Sequence, residues 1–201
     1  LGGLNAQVVS LGLSEGGPNA LVSVIGERGM YYLRDAKQNV TSFPGIQDDE
    51  RQRMGLALQL RDHVVQQVLE GRCGRVIVIY PKPVSFTVQE MTMEPLLPCT
   101  AWMSPQASRP SPYLIWESPM DGVLEYVIMQ WIALRLSEIF SLARLAEMAA
   151  RAVHLEGSFQ ELVRRGKKLK HQYLRSRHEL IDRSIREVCV AQMLNGKNSE
   201  S

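Results

Sequence analysis

Asp121 to Leu194 reads DGVLEYVIMQWIALRLSEIFSLARLAEMAARAVHLEGSFQELVRRGKKLKHQYLRSRHELIDRSIREVCVAQML, and no proline follows Pro119. The stretch predicts one long helix. At a rise of 1.5 Å per residue an unbroken run of that length spans roughly 110 Å. A compact domain of 201 residues cannot bury such a rod. The expected roles for it are a shaft, a spacer or one strand of a coiled coil.

The helix has two characters. From Val123 to Leu155 apolar residues are dense, with Val127, Ile128, Trp131, Ile132, Leu136, Ile139 and Phe140 among them. That stripe is broad enough to pack on a domain or on another helix. Beyond Gly166 it narrows to Leu169, Tyr173, Leu174, Leu180, Ile181, Ile185 and Val188, with charges on the other faces. Steps of three, four and seven predict a two-helix seam at Leu174, Ile181, Ile185 and Val188. No partner helix for that seam is visible in the sequence. Gly157 and Gly166 each cost about 1 kcal/mol relative to Ala in a helix. Gly157-Ser158 therefore marks either a kink or a joint between two helices.

Upstream, residues 1–120 read as α/β. Ala20 to Ile25 is a short β-branched strand stopped by Gly26. Asp48 to Leu69 is a helix with acids in its first turn and Gly71 at its close. Arg75 to Tyr80 is the strongest strand, apolar on both faces as a doubly covered strand requires, and Pro81 and Pro83 end it. Val84 to Met93 alternates as a further strand, Pro98 to Pro112 is a loop carrying Trp102, and Tyr113 to Trp116 is a last short strand. Asp121 is the expected N-cap of the long helix. The predicted division is an α/β domain at 1–120 and a helix at 121–201.

Charge is unevenly distributed. The formal net charge is +2, yet Arg164 to Arg186 contains nine Arg or Lys against the two acids Glu179 and Asp182. The remainder is acidic on balance. Composition is that of a soluble globular protein, 45% hydrophobic and 22% charged. No continuous apolar run reaches the ~18–20 residues of a membrane span. Cys73, Cys99 and Cys189 are odd in number and far apart, which disfavours a disulfide framework or a zinc site and suits reduced thiols. The opening Leu1-Gly2-Gly3-Leu4-Asn5 lacks the basic start of a signal peptide and predicts a fragment that begins inside a domain.

Few residues suggest chemistry. Neither G-x-G-x-x-G nor G-x-x-x-x-G-K-[ST] occurs, so no nucleotide-binding loop is expected. His63, His154, His171 and His178 lie on predicted helices without a completing ligand set. No Ser, His and acid cluster can be argued from spacing. The sequence therefore predicts no catalytic residue, no metal and no cofactor.

Several stretches, in order, resemble one family. Ala146-Glu147-Met148-Ala149-Ala150-Arg151 is similar to the Ser-Glu-x-Ala-Ala-Arg of the gamma subunits of F-type ATP synthases. Tyr173-Leu174-Arg175-Ser176-Arg177-His178-Glu179-Leu180-Ile181 resembles their Tyr-Asn-(Lys/Arg)-Ala-Arg-Gln-x-x-Ile, and Glu187 falls at their Glu-Ile-Val. Gly2-Gly3-Leu4-Asn5, Ile25-Gly26-Glu27-Arg28-Gly29 with Tyr31-Tyr32-Leu33, and Leu96-Leu97-Pro98 continue the likeness. His178 stands for the usual Gln and Asp182 for the usual Thr or Ser. The ending Cys189 to Leu194 lacks the family's small-residue tip, as in a divergent branch.

The resemblance implies the rotor stalk of an ATP synthase, turning ion flow into rotation inside an alpha–beta hexamer. It implies a Rossmann-like α/β domain and a C-terminal helix wound as an antiparallel coiled coil with an N-terminal helix. That helix and the first strand would lie upstream of Leu1. Implied partners are the alpha and beta subunits, an epsilon-type subunit and the membrane c-ring, at the cytoplasmic face of the inner membrane and peripheral to it. Arg164, Arg165, Lys167, Lys168, Arg175, Arg177, His178 and Asp182 would meet the beta subunit, with Arg175 and Arg177 making the strongest contacts. The role is non-catalytic.

Two other classes remain as expectations. The basic run suits a nucleic-acid-binding helix carried on an α/β domain, although the apolar seam crosses the same segment. An α/β enzyme dimerised by its coiled coil is the third, without a phosphate loop or nucleophile to support it.

Overall fold

The computed structural model describes residues 2–17, 19–33, 39–99 and 119–197, with side chains described as far as residue 190. The expected loop with Trp102 and the expected strand Tyr113 to Trp116 lie largely or wholly outside the described residues. The order is α1 (Gly2–Gly16), β1 (Leu21–Ile25), α2 (Glu27–Leu33), β2 (Asn39–Phe43), α3 (Glu50–Leu69), β3 (Val76–Pro83), β4 (Gln89–Leu97) and α4 (Met120–Lys197). The protein is thus mixed α/β with a long C-terminal helix. It divides into two compact units, Leu1–Ala152 and Val153–Ser201, and α4 contributes to both.

In the first unit the described strands form two two-stranded sheets, β1–β2 parallel and β3–β4 antiparallel. A parallel pair needs a crossover, and α2 lies within it. Gly26 turns the chain from β1 into α2 at φ +96°, a conformation that disfavours any side chain, and its N–H donates to the Phe43 carbonyl at 2.9 Å. The helix α3 begins at Glu50, two residues later than expected, so that only Glu50 of the three acids lies in its first turn. Asp49 is the N-cap and accepts from the Gln52 N–H at 3.2 Å. Gly71 closes the helix at φ +70°, its N–H donating to the Val68 carbonyl.

Four expectations need correction. β3 continues through Pro81 and Pro83, which were expected to end it. Proline is tolerated there because, among the described residues, β3 has a strand on one side only. Val76 to Ile79 are half-buried instead of doubly covered. Val84 to Val88 is the hairpin loop between β3 and β4, not the start of a strand. The Val84 and Ser85 N–H groups both donate to the Val88 carbonyl, and the Ser85 hydroxyl accepts from the Val88 N–H at 3.1 Å. The alternating pattern simply ran on across the turn. Asp121 lies inside the first turn of α4, while the Pro119 carbonyl accepts from the N–H groups of Gly122 and Val123.

The core of the first unit joins Leu56, Ala57 and Leu60 of α3, Tyr80 of β3, Leu96 of β4, and Ile132, Leu136, Ile139 and Phe140 of α4. The four α4 residues follow the i, i+4, i+7, i+8 spacing of one helix face. Contrary to expectation, α4 is long and apolar enough by composition to cross a membrane. Its apolar side nevertheless includes these core residues, so amphipathic packing accounts for part of that composition. α4 runs without a break in its helical pattern through Gly157 and Gly166, so the alternative of two helices joined at Gly157 does not hold.

Candidate partner-binding face of the C-terminal helix

Two polar clusters fix α4 within the first unit. Arg135 grips both oxygens of Glu94 on β4, with Nη2 to Oε2 at 2.7 Å, and also pairs with Glu138. The Tyr80 hydroxyl donates to the same Glu94 at 3.0 Å. The Arg135 hydrogen bonds, aided by that of Tyr80, hold the Glu94 carboxyl below its ordinary range despite burial. Burial, then the carboxylate of Glu94, push the Tyr80 phenol up. In the second cluster Arg144 binds Asp48, just before α3, and Glu147, which also meets Arg151. Sequence reading found neither cluster, because Asp48 and Arg144 stand 96 positions apart and Glu94 and Arg135 stand 41 apart.

A cavity of about 1260 Å³ in the first unit is lined by β1, β3 and residues of α1, α3 and α4. Its walls are mainly apolar, with Val8, Val24, Ile77 and Phe140 among them. No group of three or more metal-ligating residues assembles among the described residues.

Every residue the sequence singled out as a candidate partner contact lies in the second unit. From Leu162 to Val190 every side chain is exposed. Arg164 and Arg165 both pair with Glu161, at 2.7 and 2.8 Å. The side chains of Lys167, Lys168, Arg175, Arg177, His178 and Asp182 make no hydrogen bond or ion pair among the described residues, while the Asp182 carbonyl accepts from Arg186 Nε. The seam residues Leu174, Ile181, Ile185 and Val188 are likewise exposed and uncovered.

At about 100° per residue the helix separates these groups. Arg164, Lys168, Arg175 and Asp182 follow steps of four, seven and seven and share one side. Leu162, Leu169, Tyr173, Leu174, Leu180, Ile181, Ile185 and Val188 occupy a broad arc opposite. His178 and Lys167 border that arc. Arg175 and Arg177, expected to make the strongest contacts, are two positions apart and lie on nearly opposite sides of the helix. Arg177 lies inside the apolar arc.

A protein-family model described as ATP synthase matches residues 1–192. The chain is 24% identical over 198 residues to an ATP synthase gamma chain of Laribacter hongkongensis, covering 94% of this chain and 67% of that one. It is 26% identical over 206 aligned positions to an ATP synthase gamma chain of Rhodopirellula baltica, covering 93% and 67%. Its fold is similar to a chain in the cryo-EM structure of the Tetrahymena thermophila mitochondrial ATP synthase central stalk and c-ring. The TM-score there is 0.57 at 15% identity, over 78% of this chain and 68% of that chain. With the match extending from the α/β elements through nearly all of α4, the chain belongs to the ATP synthase gamma family.

Proposed function

We propose that the protein serves as the rotating shaft of the central stalk, with no catalytic role of its own, coupling ion-driven rotation to ATP synthesis or hydrolysis in an alpha–beta head. The observation that carries this reading is the 162–190 segment of α4, with an uncovered apolar arc on one side and a basic band on the other. A shaft must bias otherwise equivalent sites in turn, and only differential contact energy can do that. The two unlike sides of one helix supply such an asymmetry.

The apolar arc would take an antiparallel companion helix through Leu174, Ile181, Ile185 and Val188. The opposite side, with Arg164, Lys168, Arg175 and Asp182, and the flanking Arg165, Lys167 and His178, would sweep past acidic groups of the beta subunits. Exposed ion pairs contribute about 0–1 kcal/mol each, weak enough to be exchanged as the shaft turns. The working division would be an α/β foot at 1–120, with a Rossmann-like plan suggested by the parallel β1–β2 pair, and a shaft at 121–201. An epsilon-type subunit and a c-ring would be its neighbours at the foot, peripheral to the cytoplasmic face of the inner membrane.

The test is reconstitution with alpha and beta subunits, scored by co-purification and ATP turnover. The shaft reading predicts a stoichiometric complex with altered turnover. Failure to bind any alpha–beta assembly would sink it. The nucleic-acid reading has no support, since the comparisons all point to the synthase and the apolar arc crosses the basic run.

A further inference from the structure

Arg135-Leu136-Ser137-Glu138 and Arg144-Leu145-Ala146-Glu147 repeat one pattern nine residues apart on α4. In both copies the arginine is braced by the acid three positions on, Arg135 by Glu138 and Arg144 by Glu147. In both it also grips the two oxygens of a carboxylate from the α/β foot. Arg135 takes Glu94 on β4, and Arg144 takes Asp48 just ahead of α3. Both arginine side chains are largely covered, at 29 and 20% exposure. The same attachment thus occurs twice and ties α4 to two different segments of the foot.

The placement of the two clamps around the helix is informative. Nine residues make about two and a half turns, so Arg135 and Arg144 lie on opposite sides of α4, about 14 Å apart along its axis. Ile132, Leu136, Ile139 and Phe140 form the helix face that enters the core. The middle of that face lies between the two arginines, about 90° from each. The clamps therefore flank the buried stripe, one on either side. A turn of α4 about its own axis carries one flank toward the foot and the other away from it. Whichever way the helix turns, one clamp is stretched. The apolar stripe alone sets the angle less sharply, because hydrophobic burial is non-directional. A bidentate guanidinium–carboxylate pair adds geometric specificity.

We propose that Arg135 with Glu94, and Arg144 with Asp48, form an antagonistic pair of clamps that fixes the rotational angle of α4 in the foot. Torque then passes between foot and shaft in both senses without slip. These four are positioning residues, acting through α4 and not on nucleotide. The inference rests on the shaft reading given above and adds to it the residues that carry the load.

The experiment uses the assembled synthase in vesicles. ATP turnover and ATP-driven ion pumping are measured on one sample, and ATP synthesis under an imposed ion gradient on another. The double variant Asp48→Asn with Glu94→Gln should lose pumping and synthesis while ATP turnover continues. Each single variant should impair one direction more than the other, and the two should differ in which. Asp48→Glu and Glu94→Asp keep a carboxylate and should retain more coupling than the amides. Leu136→Val thins the core but spares both clamps, so it should lower the melting temperature without loss of coupling. Full coupling in the double variant would overturn the clamps and leave the shaft reading standing. Loss of coupling in Leu136→Val that matched the double variant would also overturn them, as would impairment of the same direction by both single variants. Failure of the unaltered chain to join alpha and beta subunits would overturn the shaft reading and the clamps with it.

Discussion

Arg144 holds both oxygens of Asp48, Nε to Oδ1 at 2.7 Å and Nη2 to Oδ2 at 3.0 Å, joining α4 to the residue before the α3 cap. The Arg144 side chain is largely covered and the Asp48 side chain is open to water. The two ends of one ion pair therefore differ in what their loss costs. Asp48→Asn should leave the melting temperature nearly unchanged, because water screens an exposed carboxylate. Arg144→Ala should lower it by roughly 2–4 °C, since it also removes the Glu147 contact and the packing of the stem. Paired thermal melts at neutral pH check the asymmetry, and equal shifts would contradict it.

Among the described residues Phe140 is the largest fully buried side chain, and it belongs to the core cluster to which α3, β3 and β4 also contribute. Phe140→Ala should destabilise the first unit by about 3–5 kcal/mol. That is a large share of a typical domain's stability of about 5–15 kcal/mol. Urea unfolding, followed by the midpoint at constant slope, measures it.

Glu94 predicts a pH dependence. Arg135, helped by Tyr80, lowers its folded pKa below the ordinary 4.5. The stabilisation is therefore present above that value and is lost as pH falls through the folded pKa. Glu94→Gln should cost about 1–3 kcal/mol at pH 7, because it leaves Arg135 without its carboxylate. The gap between the two proteins should close toward pH 3. Tyr80 acts in the other direction. Its pKa is raised above 10.0 by burial and then by Glu94, so its contribution is whole below that value and disappears as pH rises through the folded pKa. Denaturant titrations of wild type and Glu94→Gln between pH 3 and pH 7 test the acid arm. A gap that widened on acidification would reject the assignment.

Ile181 and Ile185 are exposed at 43 and 54%. Replacing both with Asp should therefore leave the melting temperature of the isolated chain almost unaltered. In an assembled synthase the same change puts two charges into a covered seam, where an unpaired charge is costly. ATP hydrolysis should then become uncoupled from ion transport. Ion pumping and ATP turnover measured on the same vesicles decide between a seam and a solvated flank.

Truncation after Lys170 should leave the first unit folded, because its buried apolar residues lie between Leu33 and Ala149. An unchanged urea midpoint is the expected outcome, together with loss of alpha–beta capture in pull-down.

Local patterns were enough to read much of this chain. β1, α3 and the long helix follow from β-branched runs, from the acids at Asp48 to Glu50 with Gly71 at the close, and from the spacing of Ile132, Leu136, Ile139 and Phe140. These signals lie within a few residues of the elements they specify. Reading failed where the signal was short or ambiguous. α1, α2 and β2 lacked a clear period, and the alternation from Val84 to Met93 crossed a turn made by Ser85. The candidate contacts lie exposed on α4, and Arg175 and Arg177, two positions apart in sequence, are nearly opposite in space, which a list of residues along the chain does not reveal.

The sequence alone determined that this is an α/β protein with a long amphipathic helix of the gamma family, because composition, periodicity and ordered motifs are properties of the chain read in one dimension. Only the tertiary structure decided that Asp48 meets Arg144, that Tyr80, Glu94 and Arg135 share one site, and that α4 closes a core in its first part while leaving the arc around Arg177 open. Those outcomes depend on which distant segments come within a few ångströms of each other. Hydrogen bonds and packing act only at such distances, and spacing along a chain does not reveal them.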